Sequence, residues 1–164
     1  MRKINNILKL IRFHKPIGTL LLLWPTLSAF FIITEGDPSI KLIIIFSLGT
    51  FLMRSAGCVI NDYFDKDIDG RVERTKDRPL VTGDISPKEA LCLFYCLLGL
   101  ASVLLIWTNL FTVVLAFLGA LLTIFYPLTK RIFKIPQIFL GFAFSWGVIM
   151  VSAAETNSIS PSSI

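Results

Sequence analysis

Four stretches of this chain carry no charge at all: residues 17–34, 90–108, 110–126 and 138–154, each 17 to 19 residues long. A fifth, 42–60, carries a single charge, Arg54. An α-helix needs about 17–25 predominantly apolar residues to cross the hydrocarbon core of a bilayer. These runs therefore predict an all-α, multi-pass transmembrane bundle, with five helices at about 17–34, 42–60, 90–108, 110–126 and 138–154. Buried helices of a water-soluble domain are shorter and alternate with amphipathic ones. No amphipathic helix of useful length is expected outside the five runs. Composition agrees, at 54% hydrophobic residues with a mean hydropathy of +0.74, against about 45–50% for soluble domains even when glycine is counted. The run 17–34 exceeds a typical signal-peptide core and lacks a small-x-small exit, so cleavage is not expected.

The net charge of +5 raises the question of nucleic acid. The placement of the charges answers it. Arg2, Lys3, Lys9, Arg12 and Lys15 precede the first run. Lys66, Arg71, Arg74, Lys76, Arg78 and Lys88 lie in 61–89, and Lys130, Arg131 and Lys134 in 127–136. The opposite connections hold only Lys41. Threading five helices in order puts all three basic segments on one side, which the excess of Lys and Arg marks as cytoplasmic, together with the N-terminus. Basic charge here orients a lipid-embedded chain, and no nucleic-acid partner is expected. The three cysteines, Cys58, Cys92 and Cys96, fall inside expected helices, with no histidine beside them to complete a metal site.

The chain reads as one membrane domain over 1–164. Its long connection, 61–89, is rich in aspartate and expected on the cytoplasmic side; it holds eight of the eleven acidic residues. That connection ends in "SPKEA", where Ser86, Pro87 and Glu89 form a capping-box start for the next helix. It begins in "NDYFDKDIDG". Asp65, Asp67, Asp69 and Gly70 imitate the opening of a calcium loop, but the twelfth position, which needs a bidentate Glu, is Lys76. An Asp-Gly phosphotransferase motif fails as well, because Gly83 and Asp84 are not followed by the further aspartates it needs.

Read as the continuing end of the second helix, Asn61, Asp65 and Asp69 stack one turn apart on one face. Oxygen ligands so placed suit Mg²⁺, which is held by one or two carboxylates plus substrate phosphates. A solvated acidic loop accounts for the spacing equally well. Arg54 favours the functional reading. It lies seven residues before Asn61, about 10 Å deeper on the same face, and an ionisable residue within a membrane helix marks a functional site.

These residues also carry a resemblance. "NDYFDKDID" is similar to the first Asn-Asp-x-x-Asp-x-x-x-Asp motif of the UbiA superfamily of intramembrane prenyltransferases. "KPIGTLLLLWPT", "MRSAGCVINDYFD" and "DRPL" resemble the branch of it that prenylates 4-hydroxybenzoate for ubiquinone. The likeness runs in order over about residues 10–151. It implies a nine-helix fold of which five helices are present, and a polyprenyl diphosphate bound through Mg²⁺. It implies Asn61 and Asp65 as metal or diphosphate ligands, with Asp62 and Asp69 in support. The ring carbon beside the hydroxyl of 4-hydroxybenzoate would attack the allylic carbon as diphosphate leaves, with homogentisate or dihydroxynaphthoate as sibling acceptors. Arg54, Arg74, Arg78, Lys130 and Arg131 are the basic candidates, Arg54 or Arg131 for the carboxylate. Asp65, Asn61 and Arg54 are the expected catalytic set.

The family's second aspartate-rich motif has no counterpart here. The expectation is a fragment or half-enzyme whose missing C-terminal half comes from a second chain, without measurable prenyl transfer by itself. The competing expectation is a non-catalytic remnant or binding module for a magnesium-diphosphate lipid. The setting implied is a bacterial inner membrane, ahead of the mitochondrial one.

Overall fold

The structure is a computed structural model that describes residues 2–132 and 137–158, the side chains of 126–132 and 138–140 excepted. Every regular element among them is helical: α1 (Arg2–Leu10), α2 (Ile17–Ile33), α3 (Ile40–Asp69), α4 (Pro87–Leu104), α5 (Leu110–Ile132) and α6 (Gln137–Thr156). A 3₁₀ turn, Leu105–Trp107, closes α4. The five expected helices are α2 to α6. Ile40–Asp69 and Pro87–Trp107 are each long and apolar enough to cross a membrane.

Two expectations need correcting. A short amphipathic helix, α1, does precede the apolar runs. Nine residues are marginal as an isolated helix, so local pattern alone does not announce it; tertiary contacts hold it. Leu10 and Asn6 are buried, Arg2 pairs with Asp84 at 3.1 Å, and Lys3 with Glu89 at 2.6 Å. Donating to the Glu89 carboxylate raises the Lys3 ammonium above its ordinary value. The second correction concerns α3, which does not stop at Ile60. It runs on to Asp69, so the first nine residues of the expected loop are helix.

Helix α3 is the axis, packed against α1, α2, α4, α5 and α6, while α6 also packs on α2 and α5. Its N-terminus is capped by the Ser39 hydroxyl, and Glu155 at the end of α6 accepts from the Ser39 amide at 3.2 Å. The capping box of Ser86 and Glu89 forms as expected at the start of α4. Two apolar clusters sit at opposite ends of the bundle. One joins Phe30 and Phe46 to Val151. The other joins Leu10, Val59 and Ile60 to Leu80, Ile85 and Phe94, and so pins the connection after α3 against the helices.

Candidate functional site

At about 100° per residue, the last turns of α3 place Asn61, Asp65, Asp69 and Asp62 within roughly a quarter of the helix circumference. That face turns inward. Asp62, Asp65 and Asp69 are all buried, and Asp62 is only 1% exposed. A carboxylate removed from water must be paired and hydrogen-bonded, and Asp62 is paired twice. The Arg12 Nη2 donates to both of its oxygens, at 2.9 and 2.8 Å. The Arg78 Nη1 lies 2.9 Å from Oδ1. The same nitrogen reaches Oδ2 of Asp69, so Arg78 bridges two carboxylates seven residues apart on α3. The Asn61 amide adds a further hydrogen bond to Asp62.

Arg78 was among the expected residues; Arg12 was not. It sits fifty residues from Asp62, in the turn between α1 and α2, and counted in the sequence only as topology-setting charge. Its backbone is left-handed, with φ +59°. The Arg12 amide donates to the Lys9 carbonyl at 3.1 Å and the Phe13 amide to that of Leu8 at 3.0 Å. Together these bonds make a Schellman ending of α1, with Arg12 where glycine normally stands.

The connection after α3 exposes most of its side chains but is anchored by a few buried ones. The buried Thr75 hydroxyl donates to the Asp69 carbonyl at 2.8 Å, and Leu80 and Ile85 are buried in the cluster beneath. This folding carries Arg74 and Arg78 back toward the turn after α1. Between the two segments lies a cavity of about 420 Å³, lined by Lys9, Arg12, His14, Lys15, Arg74 and Arg78 among others. A second cavity, of about 340 Å³, is lined by Phe13, Pro16, Leu20 and Phe51, and Arg12 borders both. A polyanionic head and an apolar tail are the chemistry such neighbours accept.

Arg54 lies about two turns before Asn61 on the same face of α3. Its Nη1 donates to the Cys58 sulfur at 2.7 Å, and its guanidinium fills the space beside Gly18 of α2. Lys130 and Arg131 fall on the last turn of α5, and their side chains lie outside the described residues. The calcium-loop reading is excluded, because Asp65, Asp67 and Asp69 lie on a helix. Among the described residues, no three acidic, histidine or cysteine side chains converge as a metal cage. Asp62 and Asp69 are held by arginines. Asn61 and Asp65 have partners of their own, yet supply the amide and carboxylate oxygens, one turn apart, that suit a magnesium ion sharing its shell with phosphate. The donor set fits Mg²⁺ in that shared manner only.

The site thus joins the acidic end of a helix in an all-helical bundle, through Arg12 and Arg78, to the wall of a basic cavity. The chain belongs to the UbiA prenyltransferase family, whose model matches residues 22–164. Among curated proteins it is 52% identical to the 4-hydroxybenzoate octaprenyltransferase of Pseudomonas syringae, over 94% of this chain and 52% of that protein. It is 51% identical to the enzyme of that name from Vibrio cholerae, over 93% of this chain and 54% of the relative. The chain thus spans about half the length of the curated relatives it matches.

Solved structures share the fold. One reported for digeranylgeranylglyceryl phosphate synthase superposes with a TM-score of 0.80 at 25% identity, over 94% of this chain and 54% of its own. A UbiA homolog from Archaeoglobus fulgidus bound to GPP and Mg²⁺ superposes with a TM-score of 0.74 at 21% identity, over 91% and 53%.

Proposed function

We propose that this chain supplies the diphosphate-binding half of a Mg²⁺-dependent aromatic prenyltransferase of ubiquinone biosynthesis. The reaction joins a polyprenyl group to the ring carbon ortho to the hydroxyl of 4-hydroxybenzoate, as the allylic C–O bond breaks to release diphosphate and the ring carbon gives up its proton. The observation that carries this reading is the basic cavity of about 420 Å³ whose wall residues Arg12 and Arg78 pair with the buried acidic end of α3. Arginine and lysine walls bind a diphosphate, and guanidinium groups match its oxygens in pairs. The adjoining apolar cavity receives the first isoprenoid carbons. The names of the relatives support the acceptor and the transferred group.

In this mechanism Arg74 and Lys15 hold the diphosphate, Asn61 and Asp65 face its metal, and Arg54 or Arg131 takes the benzoate carboxylate. Magnesium, when bound, neutralises charge that develops on the departing diphosphate. Burial of the acidic face excludes water that would otherwise capture the allylic carbon. The remaining half of the site, with its own acidic motif, is assigned to a second segment or chain. In this reading the protein lies in a bacterial inner membrane with its N-terminus cytoplasmic, an orientation that the one-sided distribution of Lys and Arg supports.

Calorimetric titration of the chain in lipid nanodiscs with geranyl diphosphate tests this. Affinity should rise by at least about tenfold when Mg²⁺ is added, and Asp65→Ala should abolish the increment, each step being worth roughly 1.4 kcal/mol. Equal affinity with and without the metal would refute the site.

A further inference from the structure

We propose that Arg12 is a positioning residue, whose left-handed backbone aims its guanidinium so that Asp62 serves as a fixed counter-charge orienting Asn61 and Asp65. This rests on the metal-diphosphate reading of the same site. Arg12 occupies the position after α1 where φ is +59°. Glycine takes that conformation freely, whereas a residue with a Cβ is disfavoured by about 1 kcal/mol. Asparagine and aspartate are the usual exceptions, because their short polar side chains bond locally. Arginine makes no such local bond here. Its Nη2 instead spans to α3 and holds both oxygens of Asp62.

The strained position therefore has a structural use: it turns the chain so that a side chain from the α1–α2 turn enters the interior. The result at Asp62 is a saturated carboxylate. Arg12 lies against both oxygens, Arg78 against one, and the Asn61 amide completes the shell. At 1% exposure Asp62 is closed off from solvent, and it does not line the basic cavity. Asp62 is adjacent to Asn61 and three residues before Asp65, so clamping it fixes the rotation of that turn. Arg12 also stands between the basic and the apolar cavity, where a loose side chain would block either one.

The test is a double-mutant cycle on the 164-residue chain in nanodiscs, read as Mg²⁺-dependent affinity for geranyl diphosphate. Arg12→Gly preserves the backbone cap, and its melting temperature reports whether the turn survives. Arg12→Gly and Asp62→Asn are each expected to weaken binding by about tenfold and to raise the Mg²⁺ concentration for half-saturation, with the double variant no weaker than either single. Arg12→Lys keeps the charge without the planar fork, and should lose about threefold. That variant carries the test if the glycine variant does not assemble.

Wild-type affinity retained in Arg12→Gly, or in Arg12→Lys where that variant stands in, overturns the positioning role. So does an additive loss in the double variant, which would mean that Arg12 touches the diphosphate itself. A wild-type protein indifferent to Mg²⁺ removes the underlying site reading, and with it the role; that outcome is distinct from a Mg²⁺-dependent wild type with an indifferent Arg12 variant.

Discussion

Arg78 answers two carboxylates with one nitrogen, and the balance of charge at the end of α3 depends on it. Removing a partner from a buried ion pair is far more disruptive than the net worth of the pair, because the remaining charge stays desolvated. Arg78→Ala leaves Asp69 without its guanidinium and Asp62 with Arg12 alone. The expected loss is about 3 kcal/mol, the lower end for a buried pair because Arg78 keeps some access to solvent. Arg78→Lys should restore about half, since one ammonium can meet both carboxylates as the single Nη1 does but is more strongly hydrated and carried on a more flexible stem. Reversible unfolding in mixed micelles measures both, and a loss below about 0.5 kcal/mol would place these pairs in the class of screened surface bridges. At this scale the sequence was half legible. Aspartates four apart speak for themselves, because ligand chemistry and helical spacing are both local. Arg12 does not, since its partner is fifty residues away. The trace it leaves is an absence: α1 stops before Pro16 with no glycine at its exit.

The same contrast runs through the elements. Caps were readable, as at Ser86 and Glu89, because they are set by residue type over four positions. The end of α3 was legible in part: the apolar run ends at Ile60, while the four-residue spacing of Asn61, Asp65 and Asp69 reads as continuing helix, and the helix does continue, held by Arg12, Arg78 and Thr75 from other segments. Helix pairing was hidden, and it turns on small residues. A Cβ on Gly119 of α5 would stand 2.7 Å from the Trp146 ring of α6, which is itself fixed by its Nε1 donating to the Leu115 carbonyl at 2.8 Å. Close approach through glycine is how membrane helices gain contact where lipid is as apolar as leucine. Gly119→Ala should therefore cost about 1–3 kcal/mol through overpacking, visible as a lower melting temperature. An unchanged melting point would mean that the ring moves freely. At the other end of the pair, Asn109 caps α5, with its Oδ1 accepting from the Thr112 amide at 2.8 Å, while its Nδ2 donates to the Ala153 carbonyl of α6 at 2.6 Å. Asn109→Asp retains the cap but sets a carboxylate against that carbonyl. It should be no more stable than Asn109→Ala, itself expected to lose about 1 kcal/mol. A fully stable Asn109→Asp would show that the tie to α6 carries no weight.

Taken whole, the molecule inverts the usual relation between side-chain polarity and depth. Trp24, Leu110 and Ile106 are 76%, 78% and 74% exposed, while Asp62 is 1% exposed. In water such an exterior would associate without limit; against acyl chains it is the correct outer surface. This property was the most legible of all, because the spans follow from unbroken apolar length and need no tertiary knowledge. The acidic interior is permitted only because Arg12 and Arg78 bring matching charge. The bilayer therefore decides which end of the bundle meets water, and the proposed sense rests on the basic residues. The connection between α3 and α4 carries Arg71, Arg74 and Lys76, all at the same end as α1. With the N-terminus cytoplasmic, trypsin added to sealed inside-out vesicles should cleave within that connection, and trypsin added to right-side-out vesicles should not. Carbonate washing should leave the chain in the membrane pellet in both preparations. Release by carbonate would contradict the transmembrane fold, and cleavage only in right-side-out vesicles would reverse the proposed orientation while leaving the fold intact.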